Sequence, residues 1–237
     1  MNTPKLLVEK SQTAKLVLEK KNLPNPPPLR VGVAFDGSGS MHSRYHSGMV
    51  QATFDQLMGA ALKLDDNGEL DAWVFDTRAE KIATAKPEDY GTFVTHKILR
   101  AGKFRGGGTN YEPAMRLIRD EMFGGSAPTG GLLGGLFGKK QAVAPTDPTL
   151  IFFMTDGDNA DRGPTDQLLK ETAGLPIYWN MVGIGSDTRF PFLTQMADKY
   201  DHVGFVHLSE LNLSDQQMYE KLFTDEFVAW VKKLKTT

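Results

Sequence analysis

The stretch RVGVAFDGSGS, Arg30 to Ser40, decides how the chain is read. RVGVAF has the apolar character of a strand. The run then ends in a carboxylate, Asp36, followed by glycine and serine in alternation. A buried strand that finishes in Asp36, Ser38 and Ser40 fits a nucleophile loop, a phosphate cradle, a metal site or a plain turn. The residues on either side choose among them.

Downstream, SGMVQATFDQLMGAALKL reads as a helix, because Val50, Phe54, Leu57 and Ala61 fall on one face. DDNG is a turn and ELDAWVFD a strand, and EKIATA is the second strand of a hairpin. PEDYGTFVTHKIL is expected to be a helix with Pro87 near its start. FRGGGTN is a loop. YEPAMRLIRDEMF is a helix with Tyr111, Met115, Ile118 and Met122 on one face. TLIFFMTDGD, Thr149 to Asp158, is a near-continuous apolar run that ends in acids, as buried parallel strands do. TDQLLKETAG is a helix stopped by Gly174, followed by the strand LPIYWNMVGIG, the helix FPFLTQMADKY and the strand HVGFVHL. The chain is expected to close on one long helix. Ser214 and Gln217 form its capping box, and Phe223, Phe227, Trp230 and Leu234 form its apolar stripe.

Strands that alternate with helices specify an α/β fold of the Rossmann-like kind. The sheet is mostly parallel with one antiparallel edge strand, and helices cover both faces. In such sheets ligands sit beyond the carboxyl ends of the strands.

Upstream, residues 1–28 read as an N-terminal extension and a Pro-rich linker. LLVEK and LVLEKK are compatible with a hairpin or with a charged helix, and PNPPP, Pro24 to Pro28, forces an extended connection. Residues 29–237 read as one domain. The Gly-rich segment 124–147 reads as a loop insertion.

The chain has 237 residues, 24% of them charged, and a formal net charge of −2. That balance argues against a general nucleic-acid binder, which shows a basic surplus. There is no cysteine, which excludes disulfides, thiolate metal sites and thiol catalysis. The start MNTPKLLVEK has no apolar stretch of signal-peptide length. Leu150 to Met154 is far short of the ~20 residues that span a bilayer. A cytoplasmic location is the expectation.

Three loops carry oxygen donors. D-G-S-G-S holds Asp36, Ser38 and Ser40, G-G-G-T-N holds Thr109, and T-D-G-D holds Asp156. The first and third follow apolar strands, so they converge on one rim of the sheet. Every donor is a hydroxyl or a carboxylate, a hard set that suits Mg²⁺ first, or Ca²⁺ or Mn²⁺, rather than zinc or copper. Residues two apart in an extended loop point the same way, so Ser38 and Ser40 can reach one cation with Asp36 behind them. Gly37 and Gly39 let the backbone turn tightly there. Two aspartates balance a divalent charge. If they act through water, the ion keeps room for a negative ligand from another molecule.

D-x-S-x-S, a later Thr in a glycine loop and T-D-G after an apolar strand together resemble the metal-ion-dependent adhesion site (MIDAS) of von Willebrand factor A (vWA) domains. The resemblance covers roughly residues 29–237. Within that class, SGSM, LDDNGELDAWVF, GGTNYEPAMR, FMTDGD, LPIYWNMVGIG and MYEKLFTDEFVAWV resemble the vWA proteins of bacterial tellurium-resistance (Ter) clusters. The resemblance implies a vWA fold and a divalent cation held by Asp36, Ser38, Ser40, Thr109 and Asp156. It further implies metal-dependent protein assembly rather than catalysis, and a cytoplasmic stress setting. Gly37 departs from the pattern, standing where an apolar residue is common.

Several features admit plainer readings. Turn and cap chemistry alone does not explain why three separated loops match one pattern. Asp158 and Asp161 read as solvated loop acids. His42 and His46, without a glutamate or third ligand, read as surface histidines. DDNGEL fails as an EF-hand loop, since Lys63 and Val74 replace its first and last acids. GGLFGKK fails as a P-loop, since Leu133 and Lys140 replace the required residues. LLGGLFGKK, within 130–140, reads as a surface loop, with membrane or partner contact as the minor alternative. The leading expectation is a non-enzymatic, metal-dependent module that accepts an Asp or Glu from a protein partner. The alternatives are a metal-assisted phosphate-ester hydrolase and a structural subunit with a vestigial site.

Overall fold

The computed structural model of the chain describes residues 3–124, 147–185, 190–209 and 213–234. Six strands form one sheet: β1 (Arg30–Asp36), β2 (Leu70–Phe75), β3 (Ala79–Ala85), β4 (Thr149–Thr155), β5 (Ile177–Ile184) and β6 (Val203–Leu208). Their order is β3-β2-β1-β4-β5-β6. β3 is antiparallel to β2, and every other pair is parallel. The expected mostly parallel sheet with one antiparallel edge strand is therefore observed.

Side-chain alternation explains why the sheet is covered on both faces. On β4, Leu150, Phe152 and Met154 enter one apolar cluster, while Ile151 and Phe153 enter the other. Tyr178 and Val182 of β5 join the first cluster, and Ile177, Trp179 and Met181 the second. A strand apolar at every position can only be central and two-sided. The first cluster is closed by α1 (Lys5–Lys20), α3 (Met49–Leu64), α7 (Asp215–Leu222) and α8 (Asp225–Leu234). The second is closed by α4 (Glu112–Phe123), α5 (Arg162–Thr172) and α6 (Pro191–Lys199). A short helix, α2 (His42–His46), follows the loop after β1.

The N-terminal extension takes the helical of its two readings. α1 places Leu7, Ala14, Val17 and Leu18 in the first cluster. Lys10 pairs with Asp215 at 2.6 Å and Lys21 with Asp225 at 2.7 Å, so the helix is fastened to α7 and α8 by charge as well. The prolines after it carry no regular structure.

Two expected helices are broken. Between Pro87 and Leu99 the chain makes a 3₁₀ turn at Pro87–Asp89 and then a π-helical turn at Val94–Leu99. Gly91 between them has φ +75°, a left-handed conformation that interrupts any continuous helix. The closing helix is likewise two. α7 starts at the expected Ser214–Gln217 capping box and ends at Leu222. Thr224 then opens α8, its hydroxyl accepting the Phe227 amide at 3.2 Å. Periodicity alone missed the break because Phe223 and Phe227 are both buried on either side of it. Among the described residues no helix is long and apolar enough to cross a membrane. Residues 125–146 of the Gly-rich insertion, with its 130–140 stretch, lie outside the described residues.

The chain builds β1, β2 and β3 outward in one direction, then returns to place β4 on the other side of β1. That reversal between β1 and β4 is the topological switch point, where α/β sheets open a crevice at their carboxyl ends. Phe35 is level with Val74 on one side and Met154 on the other. Asp36, Asp76 and Asp156 therefore stand at neighbouring strand ends.

Candidate metal centre

The switch point brings three loops together through their backbones. Ser38 bridges to Gly107 in parallel fashion. The Gly39 amide donates to the Gly107 carbonyl at 2.9 Å, and the Gly106 amide to the Gly37 carbonyl at 3.0 Å. The Ala160 amide donates to the Thr109 carbonyl at 2.9 Å. The glycine loop is thus laced to both acidic loops.

Side chains then form a connected network. Asp36 is fully buried. Its Oδ1 accepts the Ser38 amide at 2.8 Å, and its Oδ2 accepts the Thr155 hydroxyl at 2.6 Å. Tyr111 donates to the Thr155 hydroxyl at 3.2 Å, and Tyr45 donates to the Asp36 carbonyl at 2.9 Å. The Ser38 and Ser40 hydroxyls lie 3.1 Å apart, and Ser40 donates to Asp156 Oδ1 at 2.6 Å. Burial pushes the Asp36 carboxyl up to about 6, against the lowering effect of its bonds from Thr155 and Ser38, and the nearby Asp156 adds to the rise. Two buried carboxylates side by side are costly without positive charge.

Four of the five expected site residues, Asp36, Ser38, Ser40 and Asp156, are joined in this network. Thr109 reaches it through its backbone, held between the first and third loops. The donors, two carboxylates and two serine hydroxyls, are of the hard oxygen kind that a cation such as Mg²⁺ takes. Asp156 Oδ2 is buried and accepts no hydrogen bond. The Arg44 guanidinium faces it as an ion pair, with Nη1 3.1 Å away. Among the described residues no three His, Asp or Glu side chains form a metal-holding group. A cation here would therefore depend on the serine and threonine hydroxyls as well as the two acids.

Several residues that shape the centre were not evident in the sequence. Arg105 grips Asp76 with two bonds, Nε to Oδ2 and Nη2 to Oδ1, both 3.0 Å. The Asp76 carbonyl accepts the Asn110 amide at 2.9 Å. Asp76 thus fixes both ends of the glycine loop that carries Thr109. The alternation of β2 could have shown Asp76 as a strand-end acid, but nothing local pairs it with Arg105. Asp161 is not a solvated acid as expected. It accepts the Tyr111 and Glu112 amides at 3.0 and 2.8 Å, capping α4 from another loop. Asp158 is only partly exposed: Oδ2 pairs with Arg162 at 2.9 Å, and Oδ1 is buried without a hydrogen bond. His42 and His46 are exposed, as expected, with ring centroids 4.3 Å apart.

Comparison with known proteins agrees with this architecture. The family model described as "vWA found in TerF C terminus" matches residues 28–237. The uncharacterized protein YcbR of Bacillus subtilis (strain 168) is 29% identical over 94% of this chain and 86% of that protein. Among solved structures, BatB from Bacteroides thetaiotaomicron aligns with a TM-score of 0.52 at 14% identity, over 86% of this chain and 99% of that one. Proximal thread matrix protein 1 from the mussel byssus, solved with a zinc-occupied MIDAS motif, aligns with a TM-score of 0.53 at 14% identity, over 85% of this chain. This chain spans about half of that mussel protein, 48% of its length. At such identities the solved structures speak to fold alone. The chain belongs to the vWA-TerF-like family.

Proposed function

We propose that this vWA-TerF-like domain is a protein-binding module whose centre holds a divalent cation, Mg²⁺ in preference to Ca²⁺ or Mn²⁺, and offers it to an Asp or Glu of a partner protein. Ser38, Ser40 and Thr109 would hold the ion through hydroxyls, with Asp36 and Asp156 behind them. The observation that carries the reading is the convergence of Asp36, Ser38, Ser40 and Asp156 in one connected network at the rim where the three loops meet.

The chain's own residues supply the arrangement. Asp36 and Asp156 each accept a hydroxyl proton, from Thr155 and Ser40. Ser40 gives its proton to Asp156 and accepts that of Ser38, which leaves one Ser40 lone pair and both Ser38 lone pairs for a cation. A bound divalent ion would act as an electrophile with charge left over for an outside carboxylate. The role we assign is binding rather than catalysis, as no histidine lies in the three loops. The setting we assign is a bacterial, cytoplasmic stress system of the tellurium-resistance kind.

The test is affinity capture from a bacterial lysate with the full chain, in Mg²⁺ and in chelator, beside the Asp36→Ala variant. The reading expects a partner retained in Mg²⁺ and lost in chelator and with the variant, whose circular dichroism stays that of the wild type. Capture that is indifferent to chelator would contradict it.

A further inference from the structure

The centre has a charged neighbour that none of the three loops supplies. Arg44 lies on α2, and its Nη1 stands 3.1 Å from Asp156 Oδ2. Its side chain is 16% exposed and that of Asp156 1%, so the pair is largely shielded from water. Arg44 Nε donates to the Ile184 carbonyl at 3.2 Å, which anchors the guanidinium at the carboxyl end of β5. Gly185 makes the seat: its φ is +104°, and a Cβ there would collide with the Arg44 guanidinium as it stands. The guanidinium brings a positive charge into the centre. It is also fixed, held by a backbone carbonyl on one side and a carboxylate on the other.

We propose that Arg44 is the specificity-determining residue of this centre, an internal cation that shares Asp156 with the divalent ion and so reserves the ion's charge for an anionic partner. The inference rests on the function proposed above. With Arg44 in place, the two carboxylates and the guanidinium leave the site with one net negative charge. A divalent ion then makes it positive, and an outside carboxylate restores neutrality. Without Arg44 the two carboxylates alone balance the ion, and an acidic ligand finds nothing left to neutralise. Arg44 therefore acts with opposite sign on the two ligands: it weakens the cation and strengthens the carboxylate.

The probes are Mn²⁺ and acetate. Mn²⁺ is titrated by calorimetry into the metal-stripped full chain, as wild type, Arg44→Gln, Arg44→Met and Arg44→Lys. Acetate binding to the Mn²⁺-loaded proteins is read from the fall in water-proton relaxation enhancement. Gln and Met are expected to bind Mn²⁺ about tenfold more tightly than wild type and acetate several-fold more weakly, whereas Lys stays close to wild type in both. Met preserves the packing of the arginine stem, so one neutral variant is available even if Gln disturbs the loop. Wild-type Mn²⁺ affinity in both neutral variants, or an equal rise in Lys, would overturn the inference and leave the proposed function standing. Absence of Mn²⁺ binding in all four proteins would overturn both.

Discussion

Burial decides how individual polar residues behave in this domain. Asp36 and Asp156 are buried carboxylates, and each is held by a hydroxyl from the neighbouring loop or strand. His202 shows the same effect away from the centre. It is buried against Thr172, whose hydroxyl lies 3.2 Å from Nε2 and also accepts the Trp179 indole at 3.2 Å. Burial holds its pKa below the ordinary histidine value, although the Leu169 backbone and Asp201 act in the opposite direction. The unfolded chain therefore takes up the proton first as pH falls. The stability due to neutral His202 is complete above the ordinary histidine pKa and is lost as pH drops through the folded value. Thermal melts at pH 7.5 and 5.5 should show a larger decrease for wild type than for His202→Gln; equal decreases would contradict the assignment. Asp36, Ser38, Ser40 and Asp156 were legible in the sequence because each sits within a short motif at the end of an apolar run. Arg44, Thr155 and Asp161 were not. Their partners, Asp156, Asp36 and the α4 amides, are set by the way the loops meet.

The strands were legible because each central one is apolar at successive positions, and that pattern has one packing solution. Helix continuity was less so. The breaks at Gly91 and at Phe223–Thr224 depend on a positive φ and on a threonine cap, neither of which disturbs the apolar spacing. The glycine loop between Arg105 and Asn110 is the element on which the centre most depends. Asp76 secures it at both ends, by Arg105 at the start and the Asn110 amide at the finish. Glu80 adds a second carboxylate to Arg105 and also pairs with Lys103 at 2.6 Å. Residues that orient ligands from behind typically contribute 10–100-fold in metal affinity. Arg105→Ala should therefore lower Mn²⁺ affinity about tenfold or more, while Arg105→Lys recovers part of it. Unaltered affinity in Arg105→Ala would show that the loop holds its shape without the clamp.

At the scale of the whole molecule, the sheet order places one rim of loops at the reversal between β1 and β4, and the two apolar clusters pack the two faces of the sheet that carries it. The family match begins at residue 28, yet α1 before it contributes Leu7, Ala14, Val17 and Leu18 to the first cluster. Composition could not reveal this, because the charged positions of α1 resemble those of a solvated helix until its inner face is set against α3 and α7. The proposed function requires three remote loops to make one hard-oxygen cation centre. The most direct measurement is an equilibrium titration of Mn²⁺ into the metal-stripped full chain, followed by electron paramagnetic resonance, with Ser40→Ala as the comparison. One saturable ion per wild-type chain is expected, and its loss in the variant. No saturable binding by the wild type, or identical binding by both, would contradict it.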